Sequence, residues 1–169
     1  MSANTLYSIG EALIDMIPSK SGCDFAEVPA FSPRVGGAPA NVCGAFTALG
    51  GRSALLTQLG DDPFGHKIAA ELASHGIDVS RVPFTTKANT ALAFVSLGAD
   101  GNRTFSFYRN PSADLLYSAS QIDPAWFQDA FALHFCSVSL VDSPMKAAHD
   151  AAIAAAAKAG AIISFDPNL

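Results

Sequence analysis

The chain has 169 residues, 50% of them apolar, and 10 Lys plus Arg against 15 Asp plus Glu, for a formal net charge of −5. That apolar content is enough for one sizeable core, and the acidic balance, with no basic run, excludes a protein that tracks nucleic-acid phosphates. No apolar stretch reaches the roughly 18 residues of a membrane span, and the N-terminus lacks the charged region and apolar core of a signal peptide, so a soluble, cytoplasmic protein without a membrane partner is expected.

The first apolar run, 6–9, has the length of a strand. The stretch 14–35 carries strand-like pieces interrupted by Pro18, Pro29 and Pro33. After Gly36-Gly37, the residues Val42, Ala45, Phe46 and Leu49 recur at helical spacing, and Gly50-Gly51 ends the segment. A second apolar run covers 54–59. Asp62-Pro63 then supplies an N-cap and a first-turn proline to a helix bearing Phe64, Ile68 and Leu72, closed by Gly76. Residues 91–97 and 104–108 are rich in strand formers and are joined by the hairpin-like loop 98–102. Asp123-Pro124 predicts a helix carrying Trp126, Phe127, Ala130 and Phe131. A run at 133–138 follows, then a helix from Ser143-Pro144 through Ala148, Ala152 and Ile153 to Gly160, and a last run at 161–165.

Short apolar runs alternating with helices predict βαβ units and a mostly parallel sheet with helices on both faces. The segments 14–35 and 91–109 do not fit that rhythm and predict a small antiparallel sheet beside the main one. No repeat or low-complexity linker divides the chain, so 1–169 is expected to belong to one domain. Asp166-Pro167-Asn168-Leu169 follows the last strand at once. A strand that has just delivered polar residues to the ligand edge of a sheet ordinarily leads into a helix. The chain is therefore expected to be the N-terminal part of a longer domain.

Several chemistries find no pattern here. Walker A, Gly-x-Gly-x-x-Gly and Gly-x-Ser-x-Gly sequences are all absent. Cys23, Cys43 and Cys136 form no Cys-x-x-Cys pair, and the four histidines lack metal-ligand spacing, so no metal ligands are expected. The sharpest feature is Gly36-Gly37-Ala38-Pro39-Ala40-Asn41-Val42. Two glycines permit an unusual turn and close approach to a ligand, and Asn41 falls in the first helical turn, beside free backbone N–H groups. These residues alone fit a polyol site, and equally a tight turn with Asn41 as local packing.

That segment, followed by Leu49-Gly50, resembles the first signature of the PfkB/ribokinase-like carbohydrate kinases. Leu59-Gly60-Asp61-Asp62-Pro63-Phe64-Gly65 is similar to the segment that follows it there, and Gly10-Glu11-Ala12-Leu13-Ile14-Asp15 to the family's first strand and its sugar-binding Asp. Phe107-Tyr108-Arg109-Asn110-Pro111-Ser112-Ala113-Asp114 and Phe165-Asp166-Pro167-Asn168-Leu169 resemble fructokinase members. The resemblance implies a ribokinase-like Rossmann-type sheet with a β lid at about 14–35 and 91–109. It also implies transfer of the ATP γ-phosphoryl group to a sugar hydroxyl with Mg²⁺, most nearly on fructose. A 2-keto-3-deoxygluconate kinase, a ribokinase or a nucleoside kinase is the alternative within the family. A non-catalytic sugar-binding fragment is the alternative outside it.

By the same resemblance, Asp15 accepts hydrogen bonds from sugar hydroxyls, and Gly36 and Gly37 let the sugar lie on backbone. Asn41 holds another hydroxyl, Phe107 and Arg109 come from the lid, with Arg109 pointing into the cleft, and Asn168 lies on the phosphate side. The family's Asp-Thr-x-Gly-Ala-Gly-Asp stretch, which carries the general base and the anion hole, does not occur in the sequence. No catalytic residue is therefore expected in this chain. Lids of this kind commonly pair between two copies, so a homodimer through the lid is expected.

Overall fold

The computed structural model describes residues 5–97 and 103–168; the loop expected at 98–102 lies outside them. In chain order the elements are β1 (Thr5–Ile9), β2 (Leu13–Pro18), β3 (Phe31–Gly36), α1 (Ala38–Ala48), β4 (Arg52–Leu56), β5 (Leu59–Gly60), α2 (Pro63–Ser74), β6 (Phe84–Thr85), β7 (Leu92–Leu97), β8 (Arg103–Tyr108), β9 (Ala130–Cys136), α3 (Pro144–Lys158) and β10 (Ile162–Asp166).

The main sheet is parallel, in the order β10-β9-β1-β4. Its strands alternate between two faces, as the pleat requires. Tyr7 and Ile9 of β1, Ala54 and Leu56 of β4 and Leu133 of β9 share one buried cluster with Met145, Ala148, Ala152 and Ala156 of α3. Leu55 turns the other way and joins Ala40 and Cys43 of α1 and Ile68 and Leu72 of α2 in a second cluster. Helices thus cover both faces, and the small residues of α3 let it lie close on the sheet.

The helix boundaries follow from their caps. The Asp62 side chain accepts a hydrogen bond from the Gly65 amide at 2.8 Å, with Pro63 at the first helical position. Gly76 and Gly160 take up φ of +81° and +82° beyond α2 and α3, the left-handed turn in which a helix commonly stops.

The second sheet runs β3-β2-β7-β8. It is mixed rather than wholly antiparallel, because β2 and β7 pair in parallel while the two outer pairings are antiparallel. The chain reaches β7 only after passing through β4 and α2, so no hairpin constrains the central pair. One face continues the core: Ile14 lies in the second cluster, with Met16, Val35 and Leu92 packed against it. Farther out on that face, Phe94 gathers Phe25, Phe31 and Tyr108 at ring-centroid distances of 5.8, 5.1 and 5.2 Å.

One expected helix is not an α-helix. Pro124–Asp129 forms a 3₁₀ segment, and Ala130 and Phe131 already belong to β9. The apolar run from Ala130 to Cys136 satisfies its backbone by pairing with β1 and β10, which leaves too few residues after Asp123 for a longer helix. Phe127 still delivers its ring to the core, 5.2 Å from that of Tyr7. Likewise, the run 54–59 is not one strand: it breaks after Leu56, and Leu59-Gly60 pairs separately with Phe84-Thr85.

Candidate functional site

Parallel β1, β9 and β10 present their C-terminal ends to one edge of the main sheet, where ligands of such sheets bind. Three glycines bring the loop after β1 and the start of α1 into contact there. A side chain on Gly10 would place its Cβ 2.6 Å from Pro39 Cγ. One on Gly37, which has φ +105°, would lie 2.5 Å from the Glu11 carbonyl oxygen. One on Gly36 would meet Asp15 Oδ2 at 2.1 Å. The Asp15 carboxylate therefore rests directly on the glycine backbone. Its burial holds the carboxyl above its ordinary pKa.

Strand register extends the site across the second sheet. Arg34, Asp15, Ala93 and Phe107 form one row over β3, β2, β7 and β8, and paired residues share a face. Ala93 keeps the middle of the row low, so Asp15 and Phe107 stand on either side of a small residue.

Beneath this edge lies a buried polar network. Glu11, 2% exposed, accepts the Ala38 amide at the start of α1 at 3.1 Å. Its other carboxylate oxygen accepts from Ser139 Oγ, which in turn accepts the Glu11 amide at 3.1 Å. Arg109 Nη2 lies 3.4 Å from the same hydroxyl and forms an ion pair with Asp114. The second Asp114 oxygen accepts from Ser112 Oγ. Asp114 is 1% exposed and the Arg109 side chain 11%, so this is a largely desolvated pair.

The remaining expected residues take separate positions. Asn41 is exposed on α1 and lines a hollow of about 250 Å³ with Val35, Gly44, Glu71, His75 and Ile77. Phe107 and Arg109 line another, of about 390 Å³, with Asn89, Thr90, Leu92 and Tyr108. Asn168 follows β10 with φ +51°, and its amide donates to Asp166 Oδ1 at 2.8 Å. Ser137 Oγ, two residues from Ser139, donates to the neighbouring Pro167 carbonyl at 2.5 Å.

The described residues hold no group of three or more His, Cys, Asp or Glu placed for a metal ion. Burial pushes the Cys43 thiol up to about 12 and the Cys136 thiol up to about 11, which keeps both protonated and unreactive. No helix among the described residues is long and apolar enough to cross a membrane.

The model of the pfkB family carbohydrate kinases matches residues 3–169. The chain belongs to that family.

The pfkB assignment agrees with individual relatives. Fructokinase-2 of Solanum habrochaites is 48% identical over 99% of this chain and 51% of its own length. Fructokinase-1 of Zea mays is 49% identical over 97% and 51%. Among solved structures, a fructokinase from Xylella fastidiosa is 41% identical, with a TM-score of 0.89 over 99% of this chain and 51% of that one. A putative ribokinase II from E. coli reaches a TM-score of 0.92 at 30% identity, over 98% and 54%. The chain thus spans about half the length of the relatives it matches.

Within this pfkB chain, sequence reasoning gave no role to Glu11, Ser112, Ser139 or Asp114. Glu11 and Asp114 lie inside motifs that carry the family resemblance, and an acidic residue between Gly10 and a strand is a usable signal. Nothing local marked Ser139, which is 128 residues from Glu11.

Proposed function

We propose that the protein containing this chain transfers the γ-phosphoryl group of ATP to a hydroxyl of fructose, and that this chain supplies much of the sugar site. The observation that carries this reading is the Asp15 carboxylate lying on Gly36, on the lid face that also bears Phe107. A carboxylate on a bare backbone bed offers acceptors to adjacent hydroxyls and room for a flat polyol ring. Phe107 forms an apolar wall and Arg109 a donor; for Asn41, which opens to a separate hollow, the part in holding a hydroxyl rests on the family resemblance alone. The similarity to fructokinases over nearly the whole chain supports fructose. A structurally similar Xylella fastidiosa fructokinase with bound ATP supports ATP as donor. When bound, Mg²⁺ would neutralise phosphate charge.

In this reading the chain's own residues bind and orient the sugar and exclude water from it. The general base lies elsewhere in the protein, because none of the carboxylates placed here belongs to an Asp-Thr-x-Gly-Ala-Gly-Asp turn. Sugar binding without catalysis is the second reading for the chain by itself, and that missing motif favours it. The test is fructose-dependent ADP formation by the full-length protein. Asp15→Asn should raise KM for fructose and lower kcat/KM by the equivalent of about 1–3 kcal/mol. Unchanged sugar kinetics in a folded variant would place the site elsewhere.

A further inference from the structure

A guanidinium at a sugar site can serve two substrate classes. It can clamp a carboxylate bidentately, or donate single hydrogen bonds to hydroxyl oxygens. The surroundings of Arg109 separate these options. Its Nη2 is committed to Asp114 and to Ser139 Oγ. Its Nε is buried without a hydrogen-bond partner, so the Nε–Nη2 edge of the guanidinium is closed to a bidentate carboxylate. Asp114 cannot swing away, because Ser112 Oγ holds its other oxygen and the residue is 1% exposed.

The wider field points the same way. Glu11 already takes the Ala38 amide at the start of α1 and sets a carboxylate at that helix terminus, which disfavours a ligand anion there. Asp15 adds a further carboxylate on the lid face, with Arg34 beside it in the row. Around the site, Glu11, Asp15 and Asp114 stand against Arg34 and Arg109. An incoming carboxylate would meet an arginine whose charge is already matched, and would be desolvated beside like charges.

We propose that Asp114 is a specificity-determining residue: by cancelling the charge of Arg109 it restricts the site to uncharged sugars and rejects sugar acids. This rests on the reading of the site given under Proposed function. Asp114 acts through Arg109 and is a positioning residue.

The experiment measures the affinity of the full-length protein for D-fructose and for 2-keto-3-deoxygluconate by calorimetry. Variants are Asp114→Asn, Arg109→Ala and the double substitution, each checked for folding by circular dichroism. Asp114→Asn should raise affinity for the acid relative to fructose by about tenfold, and the double variant should lose that gain. Should Asp114→Asn not fold, Ser112→Ala, which frees only one Asp114 oxygen, should move the ratio the same way by about threefold. A ratio unchanged within about twofold in the folded Asp114 variant, or in Ser112→Ala if that alone folds, overturns the proposal. Wild-type protein that binds no fructose would instead refute the site itself, and the proposal with it.

Discussion

The Ser139 hydroxyl joins Glu11 to Arg109: it donates to a Glu11 carboxylate oxygen and lies 3.4 Å from Arg109 Nη2. One buried side chain therefore ties the end of β8 to the loop after β1, and through Glu11 to the first amide of α1. The second sheet and the main sheet meet at this point.

The first prediction tests that tie. Glu11→Gln keeps the shape but removes the charge that receives Ala38 N–H and Ser139 O–H. Hydrogen bonds to charged groups contribute about 1.5–3 kcal/mol, so unfolding stability should fall by about that much. Urea denaturation measures it: the midpoint should drop with the slope unchanged. A midpoint equal to wild type would mean that the carboxylate contributes nothing to holding α1.

Two adjacent glycines should give opposite phenotypes. Gly36→Ala sets a methyl against Asp15 Oδ2, the far end of a movable side chain. It should impair fructose binding about as much as Asp15→Asn while costing stability under about 1 kcal/mol. Gly37→Ala sets a methyl against the Glu11 carbonyl and the Ala12 backbone at φ +105°, so it should destabilise the fold itself by about 1–3 kcal/mol. Thermal melts and sugar titrations on both variants separate the effects. Equal stability loss in the two would contradict the geometry.

These contrasts show what the sequence carried. The Gly36-Gly37 turn, the Asp62-Pro63 cap and the apolar runs of the main sheet are local signals, because sterics, capping and side-chain alternation act over a few residues. The mixed pairing of β2 with β7 joins segments nearly eighty residues apart, since Ile14 faces Leu92, and no short-range pattern encodes it. The Arg109–Asp114 pair was close in sequence but illegible for another reason. An arginine after a strand can point to ligand or to protein, and only burial of Asp114 decides which. The 3₁₀ segment at Pro124–Asp129 was missed because tertiary pairing of Ala130 and Phe131 overrode helical spacing.

Acid should destabilise the protein in two windows. Burial holds His149 below its ordinary pKa, against opposing hydrogen bonds to Met145 and Ile9, and its Nδ1 lies 2.8 Å from the Met145 carbonyl. The unfolded chain binds a proton there that the native one refuses. Its contribution is therefore present above about pH 6.5 and declines as pH falls toward the folded value. Asp62 acts lower. Its burial tends to raise its carboxyl, but the Thr90 and Gly65 amides outweigh that and hold it below the usual range. This contribution is present above about pH 3.9 and is lost as pH falls through the folded value. Stability measured from pH 7 to pH 3 should fall in both windows. Asp78 shares the lower window: against the pull of its burial, the Ser80 amide and Arg81 hold its carboxyl below the usual range. Asp62→Asn should therefore shrink the lower fall and leave the upper one unchanged.

Phe105 and Phe107 stack at 5.9 Å on the face of the second sheet that carries Asp15, and are 50% and 54% exposed. Two adjacent exposed rings on a small sheet suit a second copy of that sheet. The full-length protein should therefore run as a dimer by light scattering, and Phe105→Asp should shift it to monomer. A wild-type monomer at high concentration would count against the lid as the contact.

The last prediction concerns turnover by these 169 residues alone. General-base and anion-hole contributions are each worth orders of magnitude in rate, and the stretch that supplies both in the family is absent from the sequence. The isolated polypeptide should accordingly show no fructose-dependent ADP formation above background. A candidate base within it would need to be exposed at the sheet edge and unengaged. Glu11 and Asp114 are buried and hydrogen-bonded, and Asp166 accepts the Asn168 amide. Of the carboxylates at the site this leaves Asp15, half-buried and seated on Gly36, where it would serve as an acceptor for the sugar. A coupled assay run beside the full-length protein decides the matter. Turnover within about tenfold of that protein, abolished by Asp15→Asn, would make Asp15 the base and remove the need for any residue beyond this chain.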